Sequence, residues 1–297
     1  MTHTVLLFYK FVNISNPQQV LNSQQNLCKS LGLKGRVIIS GEGINGTLEG
    51  LNSDCGEYIR QMHQIDVFRD IAFKQSVGSG SCFPRLSIKV REEIVTTKLP
   101  YTKDLGPHCG FTGKYLSSEE LNQWYGDGRE FYMVDMRNDY EYNIGHFRGS
   151  ILLKNLKNFR NLPDILPELE HLKGKTIVTC CTGGVRCEKA SAFLMYNYFK
   201  DVYQLQGGIA TYVEKYPNRD FLGKLYVFDG RLALGIDTDK PDHIIVGKCS
   251  ICDVQSENIT DYWYLNKRHH GVVCSDCVLR DDVKLTKEII NPEPIKC

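Results

Sequence analysis

Apolar positions change their period several times along the chain, and the changes mark three regions. The run TVLLFYKFV at 4–12 is almost continuously apolar and aromatic, which predicts a strand. Val20, Leu21, Leu27 and Leu31 follow at helical spacing behind Pro17, predicting a helix over 17–31. A β-branched run at 36–40 predicts another strand, 54–63 a second helix, and 66–73 and 86–94 further strands. Such elements suit a small ferredoxin-like α+β domain of β-α-β-β-α-β order over residues 1–92. Within it, GEGINGTLEG at 41–50 reads as a tight turn between strands, its glycines serving demanding dihedrals. The competing reading is a backbone N–H contact with an RNA phosphate or an adjacent active site. It is not a P-loop, because no Lys-Ser or Lys-Thr pair follows.

Residues 93–115 lose periodicity and read as a connector. LPYTKDLGPHCGFTGKYL mixes proline, glycine, charge and aromatics, and its His108 and Cys109 suit a surface or interface better than a metal half-site.

Strand and helix patterns alternate over 116–222. Ser117 to Glu120 precede Leu121 and Trp124, predicting a capped helix. Short strands are predicted at 131–134, ending at Asp135, at 176–180 and at 202–205; helices are predicted at 162–172, 188–199 and 209–216. That alternation predicts a parallel sheet with helices on both faces, whose ligand site lies beyond the strands' C-terminal ends. Asp135 and the segment from Cys180 to Arg186 fall at that rim. Over 223–297 the turn FDGR at 228–231 and the run at 232–236 predict a short strand pair, followed by a cysteine-rich module.

Composition changes little in this picture. Of 297 residues, 42% are hydrophobic and 24% charged, ordinary for a globular chain. A formal charge of +1 neither requires nor excludes a nucleic-acid partner, since a local patch matters more than the sum. No apolar run approaches the roughly 20 residues that cross a bilayer. The N-terminus lacks a basic n-region and reads as a first strand rather than a signal peptide. The twelve cysteines are locally paired instead of forming a framework, which points to a cytoplasmic chain with reduced thiols. In that setting the sequon at Asn258 has no glycosylation meaning. No facial triad or dinucleotide fingerprint is present, so no organic cofactor is expected.

Two cysteine groupings carry candidate chemistry. Cys249-x-x-Cys252 and Cys274-x-x-Cys277 are separated by 21 residues, and four soft ligands from two tight turns suit a closed tetrahedral zinc site. His269 and His270 lie close by but are not needed to complete the set, and Cys297 is incidental. A module this small has little core, so zinc would contribute directly to its folding.

The other grouping is CCTGGVRC at 180–187, between a strand and a helix. The loop can turn its N–H groups inward, forming an anion cradle with the helix N-terminus. A cysteine at its start is expected to have its pKa lowered by that field and by Arg186, equipping it as a nucleophile or persulfide carrier. Two registers compete. Cys181 with four residues before Arg186 fits a six-residue sulfur-transfer loop; Cys180 with five fits the wider loop of cysteine phosphatases. Cys180 also reads as the buried end of its strand, and Cys187 either packs beneath the helix or resolves an oxidised Cys181.

The loop resembles that of the rhodanese superfamily. DMRNDYE at 135–141, GHFRG at 145–149 and GGI at 207–209 resemble its other landmarks, and the resemblance selects Cys181 as the sulfur-carrying position. It assigns Asp135, Arg137, Glu141 and His146 to the scaffold around the sulfur. CTGGVRCEKA, GEGINGTLEG and the three-part layout resemble the rhodanese-like tRNA uridine hydroxylases across roughly residues 4–280. The one departure from that pattern is the doubled cysteine. The resemblance implies oxygen-dependent formation of 5-hydroxyuridine at position 34 of tRNA, with molecular oxygen as cosubstrate, the anticodon region as partner, and Cys181 and Arg186 as the catalytic residues. The alternatives are a thiosulfate-type sulfurtransferase or persulfide relay, and a non-enzymatic RNA-binding module. A positive RNA path would draw on Lys89, Arg91, Lys98, Arg137, Arg160, Lys189 and Lys267.

Overall fold

The computed structural model describes residues 2–97, 99 and 106–286. The chain divides into two compact units. One comprises Met1–Gly113 together with Val185–Asn197; the other comprises Lys114–Gly184 and Tyr198–Cys297.

The first unit contains β1 (His3–Phe11), α1 (Pro17–Ser30), β2 (Lys34–Ser40), β3 (Gly43–Leu51), α2 (Asn52–His63), β4 (Phe73–Gly78) and β5 (Leu86–Val90). The sheet order is β4-β1-β3-β2-β5. Its first four strands are antiparallel neighbours in the ferredoxin-like order, and β5 adds parallel to β2. Leu6, Phe8, Val37 and Leu48 from the sheet pack with Cys28, Tyr58 and Met62 from the two helices. Asn16 caps α1 by accepting from Gln19 N at 3.0 Å, with Pro17 in the first helical turn.

Two expectations here are corrected. GEGINGTLEG is not a turn: only Gly41 and Glu42 turn, and Gly43–Leu51 is the strand that completes the ferredoxin order. Its glycines answer to close packing. A Cβ on Gly46 would lie 2.4 Å from the Phe8 ring, and one on Gly43, at φ +147°, 2.1 Å from Lys10 O. The strand expected at 66–73 is instead a 3₁₀ turn at Asp66–Phe68, which buries Phe68 and leads into β4.

The second unit contains β6 (Lys114–Leu116), α3 (Ser118–Gly126), β7 (Tyr132–Asp135), α4 (Asp139–Ile144), β8 (Gly145–Phe147), β9 (Ile151–Leu152), α5 (Leu166–Leu169) and β10 (Thr176–Cys180). The chain then runs through α6 (Val185–Tyr196), which clusters with the first unit, before β11 (Asp201–Leu205) and α7 (Gly208–Lys215). The sheet β6-β11-β10-β7-β9 is parallel throughout. Its edge strand β6 begins inside the segment expected to be a connector. Ser117 and Glu120 form the expected capping box of α3. The helix expected at 162–172 is broken. Pro163 and Pro167 remove backbone donors, so 3₁₀ turns at Phe159–Ile165 and Glu170–Leu172 flank the four residues of α5. Helix α6 starts three residues earlier than the expected 188, putting Arg186 and Cys187 in its first turn.

The remainder consists of β12 (Phe221–Gly223), paired with β8, the small pair β13 (Leu225–Tyr226) and β14 (Ala233–Leu234), and a C-terminal module. That module is the antiparallel sheet β16-β15-β17, with β15 (Ile259–Tyr264), β16 (Lys267–Val272), α8 (Ser275–Val278) and β17 (Val283–Leu285). Tyr262, Val273 and Val283 pack there against Cys249, Cys274 and Cys277. Among the described residues no helix is long and apolar enough to cross a membrane.

Candidate active site

Cys181 follows the last residue of β10 and is fully buried. Three backbone contacts fix its loop. Gly184 N donates to Cys181 Sγ at 3.2 Å. Ile209 N donates to Cys181 O at 2.9 Å and Ala210 N to Thr182 O at 3.0 Å, so the first turn of α7 grips the loop carbonyls. That grip requires Gly208, at φ +69°: a Cβ there would lie 2.6 Å from Cys181 O and 2.7 Å from Gly184 N. The GGI stretch is thus the clasp of the sulfur loop. Cys180 is buried at the strand end in register with Asp135, where Met136 N donates to its carbonyl at 2.9 Å.

Beside this strand end lies a buried ion pair. Arg137 donates to Asp135 through Nε at 2.9 Å and Nη2 at 2.7 Å, and Nη2 also reaches Gly145 O at 2.6 Å. Both side chains are fully buried, so the charges compensate each other and clamp β7 to the start of β8. Glu141, also buried, accepts from Asn138 N at 3.1 Å, and its other oxygen stands 3.4 Å from Thr182 Oγ1. The same hydroxyl is 3.5 Å from Tyr226 O, which brings β13 to the loop. His146 lies flat on Tyr142, with ring centroids 4.1 Å apart, and its Nδ1 is 2.9 Å from Tyr142 O. Burial, with a smaller contribution from Arg137, lowers its pKa and favours the neutral ring. Thr182 and Gly208 carry more of the loop geometry than the sequence reading gave them. For Gly208 the doubled glycine ahead of an apolar helix was the available signal.

A second buried charge cluster lies in the first unit. Lys189 Nζ in α6 sits 2.8 Å from Glu42 Oε1, 2.7 Å from Glu93 Oε2 and 3.0 Å from Val95 O. Glu188 in the same helix accepts from Tyr9 Oη at 3.1 Å. Neither glutamate was foreseen as a partner, although a carboxylate between two glycines ahead of an apolar run is a visible signal for Glu42.

In the C-terminal module the Sγ atoms of Cys249, Cys252, Cys274 and Cys277 all lie within 4.8 Å of one another. Tetrahedral ligation at about 2.3 Å places thiolates about 3.8 Å apart, and Cys252 and Cys274 stand at 3.6 Å. Burial pushes the Cys249 thiol up, but backbone N–H groups of Cys274, Ile251 and Cys252 outweigh it and bring the pKa down to about 6. Cys277 N donates to Cys274 Sγ at 3.4 Å, the amide-to-sulfur bond of a metal knuckle. Four soft donors held this way fit a dication. His269 and His270 stand outside the set: His269 stacks on Tyr262, and His270 Nδ1 pairs with Asp261 at 2.8 Å.

Comparison with known proteins matches the three regions in turn. Residues 3–94 match the UPF0176 acylphosphatase-like domain, 117–215 the rhodanese-like domain, and 222–286 the rhodanese C-terminal family. A tRNA uridine(34) hydroxylase of Bacillus licheniformis is 43% identical over 249 residues, 83% of this chain and 75% of the relative. The chain belongs to the tRNA uridine(34) hydroxylase family. A Staphylococcus carnosus member is 42% identical across 84% of this chain and 77% of its own. One from Cytophaga hutchinsonii is 36% identical across 93% and 86%. Within this hydroxylase-family chain, the residues expected to line an RNA path separate by burial. Lys89, Arg91, Arg160 and Lys267 are exposed, whereas Arg137 and Lys189 are buried in ion pairs and are unavailable to a phosphate. Lys98 lies outside the described residues, as does Cys297.

Proposed function

We propose that this chain hydroxylates uridine 34 of tRNA at C5, consuming molecular oxygen and forming 5-hydroxyuridine. The observation that carries this reading is the 43% identity to a tRNA uridine(34) hydroxylase over 83% of the chain, which includes the whole Cys181 loop. Cys181 is the reactive sulfur and Arg186 the fixed positive charge of its loop. The amide of Gly184 stabilises the sulfur as an anion, and Asp135, Arg137, Glu141 and Gly208 hold the loop in shape. Thiolate addition to uracil C6 would form a C–S bond and move the ring's electron pair toward the C4 carbonyl, making C5 nucleophilic. Attack of C5 on molecular oxygen would give a C5 hydroperoxide. A two-electron donor from the cell, with two protons, would take the outer oxygen to water and leave C5–OH. Loss of the C5 proton and of the thiolate from C6 would then restore the C5–C6 double bond. Carriage of an outer sulfur by Cys181 is the other use of the same cradle. The four-cysteine cluster holds a structural zinc ion, which leaves no open position for substrate. A cytoplasmic location suits both a tRNA substrate and reduced cysteines.

A sulfurtransferase is the second reading, favoured by the Gly184 amide that donates to Cys181 Sγ. One experiment separates the two. The chain is expressed in bacterial cells lacking wobble 5-hydroxyuridine, with and without oxygen, and tRNA nucleosides are resolved by accurate mass against authentic standards. Accurate mass is needed because hydroxylation and replacement of oxygen by sulfur add the same nominal mass. Oxygen-dependent 5-hydroxyuridine that vanishes with Cys181→Ser supports hydroxylation. Thiolated uridine, or unchanged tRNA with rapid sulfur transfer to cyanide, overturns it.

A further inference from the structure

The outward face of the C-terminal sheet carries a feature that neither the sulfur loop nor the cysteine cluster uses. In β15 side chains alternate. Tyr262 faces the cysteine core, while Ile259, Asp261 and Trp263 face the opposite way. Directly paired residues share a face, so Val272, His270 and Arg268 of β16 and Lys284 of β17 join them. One end of this face is covered: Ile259 and Val272 pack against Ile144 and Tyr226, and the His270 ring meets those of Tyr140 and Tyr226 edge-on at 5.0 and 5.6 Å. Toward the other end it is bare among the described residues. There Trp263, 46% exposed, sits in a row between Arg268 on one strand and Lys284 on the other, both exposed.

We propose that this bare end binds tRNA, with Trp263 stacking on an unpaired base of the anticodon loop and Arg268 and Lys284 meeting the flanking phosphates. The inference rests on the tRNA reading above. Three observations carry it. A large aromatic ring open to solvent between two cations matches the pattern by which proteins hold single-stranded nucleic acid: stacking on any base, with charge along the backbone. Asp261 accepts from Arg268 at 3.0 Å, which orients the guanidinium along the face and leaves Lys284 as the row's excess positive charge. Finally, the covered end of the same face adjoins the sulfur loop. Trp263 is two residues, about 7 Å, along the strand from Asp261 and its partner His270. His270 touches Tyr226, whose carbonyl stands 3.5 Å from Thr182 Oγ1, next to Cys181 in the chain. The row therefore lies on the same sheet face whose other end adjoins the loop of Cys181, within the span of a bound anticodon arm. An apolar protein partner fits the exposed tryptophan but gives no role to the flanking cations.

The test uses the full chain and an anticodon stem-loop RNA bearing uridine at position 34, with binding followed by fluorescence anisotropy. Trp263→Ala is expected to weaken binding about 5- to 150-fold, the fold-change matching ~1–3 kcal/mol per stacked base, with Trp263→Phe recovering most of it. Lys284→Ala is expected to lower the slope of log affinity against log salt by about 0.7. Unchanged melting and metal content in each variant exclude a folding defect, and Lys284→Ala supplies a second readout if Trp263→Ala is unstable. Variants that bind the RNA as wild type does, while wild type hydroxylates it, overturn this inference and leave the tRNA reading standing. Wild type that neither binds the RNA nor modifies tRNA in cells overturns the tRNA reading, and this inference with it.

Discussion

Lys189 Nζ lies 2.8 Å from Glu42 Oε1, with both side chains buried and Glu93 closing the triad at 2.7 Å. A lysine ammonium this far from water is tolerated only because two carboxylates and the Val95 carbonyl surround it. Removing the cation alone leaves a buried and a partly buried negative charge facing each other. Lys189→Met is therefore expected to lower unfolding stability by roughly 3–5 kcal/mol in denaturant titrations. Combining it with Glu42→Gln and Glu93→Gln should return much of that loss, because the charges then disappear together. A triple variant no more stable than Lys189→Met would show that the lysine contributes by packing.

Gly208→Ala tests the clasp on the sulfur loop. Left-handed backbone costs a residue with a Cβ about 1–2 kcal/mol, and contacts of 2.6–2.8 Å with Cys181 O, Gly184 N and Gly183 C force the loop outward. Loss of 5-hydroxyuridine is expected even where thermal melting shows a folded protein. Full activity in this variant would mean that the loop carbonyls are not positioned by α7.

Metal removal should act on one end of the chain. Cys249, Cys274 and Cys277 form the core of the C-terminal module with Tyr262, Val273 and Val283, and the exposed Cys252 completes the ligand set, so a metal there substitutes for apolar surface that the module lacks. Strong chelation, or Cys274→Ser, is expected to erase amide hydrogen-exchange protection in β15, β16 and β17 while protection in β10 and β11 persists. Bound zinc should be one equivalent per chain by elemental analysis. Protection that survives with no metal bound would overturn the site.

His146 supplies a pH dependence. Its folded pKa lies below the ordinary 6.5 because burial disfavours the imidazolium, with Arg137 adding repulsion and Asp135 and the Tyr142 carbonyl opposing. Above the unfolded value both states are neutral and the group has no effect. As pH falls below about 6.5 the unfolded chain takes up the proton first, so stability drops until the folded pKa is passed. Urea midpoints between pH 7 and pH 5 should fall more steeply for wild type than for His146→Gln. Parallel slopes would place the titration elsewhere.

The parts of the fold that could be read from the sequence were those where local pattern and tertiary role agree. TIVTC followed by two glycines and an apolar helix declares a buried strand, a tight loop and a helix start, and the structure keeps that order. Strand β3 was unreadable for the opposite reason. Its glycines suppress strand propensity, yet they are there because the Phe8 ring and the Lys10 carbonyl occupy the space a Cβ would need. At 162–172, helical spacing was genuine, but two prolines overrode it. In the site, Asp135, Arg137 and Glu141 stand beside the loop, as the landmarks implied. The burial of Lys189 could not be read, since charge in a sequence says nothing about the partner that removes it from water, whereas that of Arg137 followed from its place beside Asp135 among the landmarks. Trp263 went unremarked because an isolated aromatic residue on an alternating strand shows its face only once the partner strands are known.

The membership of α6 bears on how this chain can be cut. Its first turn completes the sulfur loop in sequence, but the helix clusters with residues 1–113, through Lys189, Glu188 and Ser191. An excised fragment spanning 114–222 would carry an ammonium group with neither carboxylate to receive it. Gene fusions and domain swaps that treat the central region as a portable cassette should therefore yield insoluble protein, unless the first 113 residues travel with it.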